Sequence, residues 1–134
     1  MTTTPTTRRA DQGVLIVRQL MDFDHDEFLA SLADDVEWAV PGNWEGVSGV
    51  KDKAAIAAFV PGLQAIFPNG LHTEIVRATA DADTAVVEIR CCAETVNGVD
   101  YDNRYCFALD FERDAVRRIR EYTDTLYADR ALFS

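Results

Sequence analysis

The final β-patterned run of the chain closes on Arg118-Ile119-Arg120-Glu121-Tyr122-Thr123-Asp124. A terminal strand has no need of guanidinium, carboxylate and phenol groups so close together merely to fold. Side chains of these types can hold and move a proton: a carboxylate takes it, an arginine orients the carboxylate, and a phenol donates to an oxygen. Other chemistries lack their reagents. His25 and His72 are the only histidines, and Cys91, Cys92 and Cys106 have no paired spacing, so no zinc-type site is expected. Cys91 and Cys92 are adjacent in a strand pattern and point to opposite faces, which suits reduced thiols. The Asp-rich loop of a calcium site is absent, and neither a metal nor a cofactor is expected.

The elements that must position these groups are strands over 84–96, 99–111 and 115–125. Asn97-Gly98, a strong hairpin signal, and Glu112-Arg113-Asp114 separate them. A further strand over 71–80 precedes them, turning at Asp81-Ala82-Asp83. Upstream, Val14, Ile16, Val17, Leu20 and Met21 fall at helical spacing and predict an amphipathic helix over 10–21. Asp24 with Glu27 fits a capping box opening a second helix that ends near Ala33. Val36, Trp38 and Val40 then share one face of a strand stopped by Pro41-Gly42. A glycine-bearing loop around Trp44 leads to a helix over 51–67, where Pro61-Gly62 predicts a kink or a break. A short helix over 126–132 closes the chain.

That order predicts an α+β domain. Its mostly antiparallel, strongly curved sheet wraps round the N-terminal helices as a cone and encloses a pocket. A chain of 134 residues fits one domain, over 10–134, and its 48% hydrophobic and 27% charged residues are ordinary for a globular protein. The formal charge of −10 repels phosphate backbones and anionic lipid surfaces, so nucleic-acid and membrane partners are not expected. Residues 1–9 are Thr-rich with no apolar segment behind them. They read as a disordered tail and not a signal peptide, and a cytoplasmic location is expected.

Three pieces, in this order, carry a family resemblance: Asp34-Asp35-Val36-Glu37-Trp38 running into Pro41-Gly42, Asn103-Arg104-Tyr105-Cys106-Phe107, and Ile119-Arg120-Glu121-Tyr122-Thr123-Asp124-Thr125. The chain resembles the SnoaL-like branch of the nuclear transport factor two-like superfamily, whose cone fold is shared by ketosteroid isomerases, limonene epoxide hydrolases and polyketide cyclases. The resemblance covers nearly all of the chain after the tail. It implies a fold more than a function, because this fold hosts isomerases, hydrolases, cyclases, binders and dimerisation modules.

Each relative's chemistry makes its own demand. The epoxide hydrolase pattern implies an Asp-Arg-Asp group. Asp124 matches one carboxylate, Arg90 matches the arginine when the strands are aligned on Asn97-Gly98, and Cys92 stands where the second Asp would be. The Tyr and Asn that hold the water are replaced by Trp38 and Val40 or their neighbours. The isomerase pattern implies a base just before the Pro-x-Gly turn, where this chain has Ala39 and Val40. The cyclase pattern asks only for one carboxylate near the end of the sheet, and Asp124 resembles it. Burial beside Tyr122 and Trp38 would raise its pKa, whereas pairing with Arg90 or Arg120 would lower it.

The resemblance thus implies Asp124 as general acid/base, Arg90 or Arg120 as its orienting cation and Tyr122 as hydroxyl donor. Trp38, Val40, Trp44, Phe59, Cys92, Tyr105, Phe107 and Arg120 are the candidate binding residues. Several alternatives stay open. Asp124 or Thr125 can cap the last helix instead, and Trp44 suits either a pocket lid or a subunit contact. The polar set Glu88, Arg90, Cys92 and Glu94 faces either the cavity, where Glu88 or Glu94 could supply the missing carboxylate, or solvent and a partner subunit. The expected partners are a small hydrophobic ligand and a second copy of the chain, joined through the exposed sheet face. A non-catalytic binding or scaffold module is the alternative to an enzyme.

Overall fold

Thr4 opens the first helix: its Oγ1 accepts a hydrogen bond from the Thr7 N–H at 3.1 Å, and Pro5 follows where a missing N–H costs nothing. In the computed structural model, which describes residues 4–133, α1 therefore runs Pro5–Met21. The tail expected over residues 1–9 is helical from Pro5 onward, and residues 1–3 lie outside the described part. Helix α2 (His25–Ala30) is shorter than expected, and Asp24 makes no side-chain capping bond. The chain leaves the helix early because β1 (Leu32–Val40) already pairs with β6 at Leu32↔Val116, so sheet pairing outweighs local helical preference.

The short β2 (Gly49–Lys51) lies where a loop and a helix start were expected; three residues are too few to show a period. Helix α3 (Lys53–Ile66) starts at Asp52, whose carboxylate accepts from the Ala55 N–H at 2.8 Å. It contains Pro61 without ending there. Ala57 and Pro61 are both exposed, so water can meet the carbonyl that the proline leaves unpaired. The remaining elements are β3 (His72–Ala80), β4 (Thr84–Glu94), β5 (Asp100–Glu112), β6 (Ala115–Thr123) and α4 (Thr125–Phe133), close to the predicted spans.

The strands form one sheet in the order β2-β1-β6-β5-β4-β3, antiparallel throughout except for the parallel pair β1 and β6. The fold is α+β, as expected. Register shifts interrupt β1/β6, β3/β4 and β5/β6, and such bulges bend a strand and increase its twist. Helix α1 packs on the inner face of β3 and β4, where Gly13 leaves no room for a side chain beside Ala85. Val17, Ile56, Val60, Val87, Leu109 and Ile119 join this core, each 2% exposed or less. Among the described residues no helix is long and apolar enough to cross a membrane.

Candidate functional site

Alternation along β5 and β6 decides which side chains meet inside. Tyr101, Asn103, Tyr105, Phe107 and Leu109 lie two apart on β5 and face inward. Phe107 pairs with Glu121 and Leu109 with Ile119, so Glu121 shares the inward face of β6 while Arg120 and Tyr122 point the other way. The apolar Ile119 sets the face, and the carboxylate two residues on follows it.

Glu121 ends in a small cavity, in which the space open to the centre of a water-sized sphere is about 60 Å³. One water needs roughly 10–15 Å³ of such space, so the cavity has room for more than that. Leu20 and Met21 of α1, Phe59 and Leu63 of α3 and Phe67 just after it form much of its wall, with Trp38 and Phe107 from the sheet. Trp44, Leu132 and Phe133 complete the lining. Trp44 is fastened to α4: its Nε1–H donates to Asp129 at 2.9 Å, and its ring meets Phe133 edge-on with centroids 5.7 Å apart. Trp38 is 2% exposed, and its indole N–H has no partner among the described residues.

Among the described lining residues Glu121 is the one carboxylate. Burial pushes its pKa from 4.5 up to about 7, and the nearby Lys51 ammonium pulls against that rise. Lys51 pairs with Trp38 across β1 and β2. Its Nζ donates to the Val47 carbonyl at 2.8 Å and stands 4.6 Å from the Phe59 ring centroid, beside two residues that line the cavity. Burial lowers the Lys51 pKa, and Glu121 partly restores it.

The other titratable groups at the wall are Tyr105 and Cys91. Burial pushes the Cys91 thiol up to about 12, so it stays protonated near neutral pH. Burial also holds the Tyr105 phenol well above its ordinary value, with the neighbouring Tyr101 adding to the rise. The Tyr105 hydroxyl is hydrogen-bonded to that of Tyr101, and Asn103 Nδ2 donates to the Tyr101 hydroxyl at 2.9 Å. Cavity and network together give a neutral donor and a proton-exchanging carboxyl at one apolar wall, enough for general acid–base work without a metal. Among the described residues no group of three or more His, Cys, Asp and Glu side chains gathers as a metal site.

The structure divides the sequence candidates. Trp38, Trp44, Phe59, Tyr105 and Phe107 line the cavity. Val40 is buried on the inward side of β1; Ala39 pairs with Arg120, so Val40 lies one step along beside Glu121, but it is not in the cavity wall. Asp124, Arg90, Tyr122, Cys92 and Arg120 stand outside the cavity. Asp124 caps α4, its carboxylate accepting from the Tyr127 N–H at 3.0 Å. Arg90 is held by Asp102 on the outer sheet face, with bonds of 2.9 and 2.6 Å that lower the Asp102 carboxyl to about 2. Cys92 leans on the same Asp102, and Arg120 pairs with Asp110. Tyr122 is 47% exposed. Glu88 and Glu94 are exposed as well, so neither replaces a missing carboxylate inside.

Glu121, Lys51, Tyr101 and Asn103 were not among the candidates. Period-two spacing was the signal for three of them: Glu121 follows Ile119, and Tyr101 and Asn103 precede Tyr105 and Phe107. Lys51 had none, because its three-residue strand is invisible in the sequence.

A search of curated proteins returned no match. Among solved structures, an NTF2-like protein from Anabaena variabilis superposes with a TM-score of 0.78 at 25% identity, over 92% of this chain and 94% of that one. TerC, crystallised with polyporic acid, gives 0.78 at 19% identity over 98% and 100% of the two chains. A chain from Jannaschia sp. assigned as a SnoaL-like polyketide cyclase gives 0.74 at 18% identity over 98% and 96%. These likenesses carry the fold. The model of the SnoaL-like domain matches residues 17–122, from the end of α1 to the end of β6, and with most of the chain inside that match this protein belongs to the SnoaL-like domain family.

Proposed function

We propose that this protein is an acid–base enzyme acting on a small hydrophobic carbonyl compound, with Glu121 taking and returning the proton. The observation that carries the reading is the position of Glu121: a carboxyl in an apolar cavity whose burial brings it to about 7, the range in which a group both accepts and releases protons at neutral pH. Family relatives that include a chain assigned as a polyketide cyclase support the same class of chemistry. Asp124 is not proposed for this role, because its carboxylate caps α4 and lies outside the cavity.

The test is exchange of α-protons from small aryl ketones in deuterated water, followed by proton NMR. Glu121→Gln should slow exchange by about 10²-fold or more, and Asp124→Asn should leave it near the wild-type rate. Equal exchange in wild type and Glu121→Gln would remove Glu121 from the reaction.

A ligand-holding module without turnover is the second reading. It is favoured by the small free volume that Trp38, Phe59 and Phe107 leave. Tight ketone binding with no exchange above background would select it.

A second copy of the chain is the proposed partner, seated on the outer sheet face. Val76 and Tyr122 are 49% and 47% exposed there. Glu74, Arg90 and Arg104 stand in one row across β3, β4 and β5 with Asp102 two residues along β5, so the face carries charges of both signs that a two-fold axis can set against each other.

A further inference from the structure

The hydrogen-bond network behind the cavity has a direction that the residues themselves fix. Asn103 Nδ2 lies 3.3 Å from the backbone carbonyl of Asp124, which only accepts, and the Arg104 N–H donates to Asn103 Oδ1 at 2.8 Å. The amide therefore presents its NH₂ group to Asp124 and to the Tyr101 hydroxyl. Tyr101 is 2% exposed, so its hydroxyl proton needs a partner in the protein. Having accepted from Asn103, that hydroxyl has one acceptor within reach among the described residues, the oxygen of Tyr105. If Tyr105 donated to Tyr101 instead, the Tyr101 proton would be buried without a partner among the described residues, at the cost of its desolvation. The chain of donors runs from Asn103 to Tyr101 to Tyr105. It leaves the Tyr105 proton free, and Tyr105 lines the cavity that contains Glu121.

We infer that Tyr105 donates a hydrogen bond to a ligand oxygen bearing negative charge, and that the cavity selects small apolar compounds with an enol or phenol group. A proton from Tyr101 drawn onto the Tyr105 oxygen polarises the Tyr105 O–H, which makes it a better donor to an anionic oxygen. Leu20, Leu63 and Phe107 supply the apolar body of the site. Asn103 and Tyr101 are positioning residues, since they act on the ligand through Tyr105. The inference deepens the acid–base reading and shares its cavity, but it concerns binding and does not require turnover.

The probe is 4-nitrophenol, whose anion absorbs apart from the neutral form, with toluene as an apolar control of similar shape and no acceptor oxygen. Tyr105→Phe should weaken 4-nitrophenol binding by about tenfold or more, Tyr101→Phe by a smaller factor, and neither should change toluene binding. Both variants remove one oxygen and keep the ring. Ketone exchange reads Glu121 and 4-nitrophenol binding reads Tyr105, so failure of the acid–base reading and failure of this one give different results. The inference is overturned if wild type does not bind 4-nitrophenol, if Tyr105→Phe binds it as tightly as wild type, or if toluene affinity falls in parallel.

Discussion

Glu121 owes its chemistry to where alternation places it. The same carboxyl one position earlier or later, in place of Arg120 or Tyr122, would face the outside of the sheet. Burial raises its pKa from 4.5 to about 7, and this makes stability depend on pH in a defined direction. Below 4.5 the folded and unfolded chains both hold the proton. Between 4.5 and about 7 the unfolded chain releases it while the folded chain keeps it, so stability falls as pH rises, and above about 7 the full cost remains. Glu121→Gln should therefore be more stable than wild type by about 3 kcal/mol at about pH 8, with the difference gone near about pH 4. Urea denaturation at the two pH values measures this, and a gap that does not change with pH would contradict it. Lys51 opposes the rise, so Lys51→Met should move the Glu121 titration upward, read by infrared absorption of the carboxyl. Family resemblance directs attention to Asp124. The period of the strand directs it to Glu121, the carboxylate that lines the cavity.

Two contacts between elements hold the site in shape. Helix α1 lies close on β4 because Gly13 has no side chain: a Cβ there would stand 2.7 Å from the Cβ of Ala85. Alanine favours a helix by about 1 kcal/mol over glycine, while overpacking a core costs about 1–3 kcal/mol. The clash is with a Cβ that cannot swing away, so Gly13→Ala should be less stable despite its better helix propensity, as chemical denaturation would show. At the other end, α4 presents Leu132 and Phe133 to the cavity and is started by Asp124. Asp124→Ala should cost about 1 kcal/mol of stability and Asp124→Asn much less, because asparagine also caps. Most elements were legible from periodicity and turn residues, notably the Asn97-Gly98 hairpin between β4 and β5. The exceptions have physical causes. Strand β2 is too short to carry a pattern, the proline in α3 is tolerated because its turn is exposed, and α2 ends early where β1 meets β6. The parallel pairing of β1 with β6 joins strands far apart in sequence, and no local signal encodes it.

The whole molecule turns a face of opposite character outward on each side of one sheet. Inside are apolar walls with a single carboxylate among the described lining residues; outside are the paired charges of Arg90 with Asp102 and Arg120 with Asp110 around exposed Val76 and Tyr122. The sequence showed that one face of β4 is polar, but not which face looked inward, because that depends on where the helices pack. If the outer face joins two copies, sedimentation should give twice the 14.9 kDa chain mass, and Tyr122→Glu should return the monomer by placing a charge in the interface. A monomeric wild type would contradict that assembly without touching the cavity. The reaction itself is tested most directly by the pH dependence of α-proton exchange from a small aryl ketone in wild type and Glu121→Gln. Exchange that rises through a midpoint of about 7 in wild type and is slower by about 10²-fold or more in the variant is the predicted result. Exchange of equal rate and pH dependence in both proteins would contradict it.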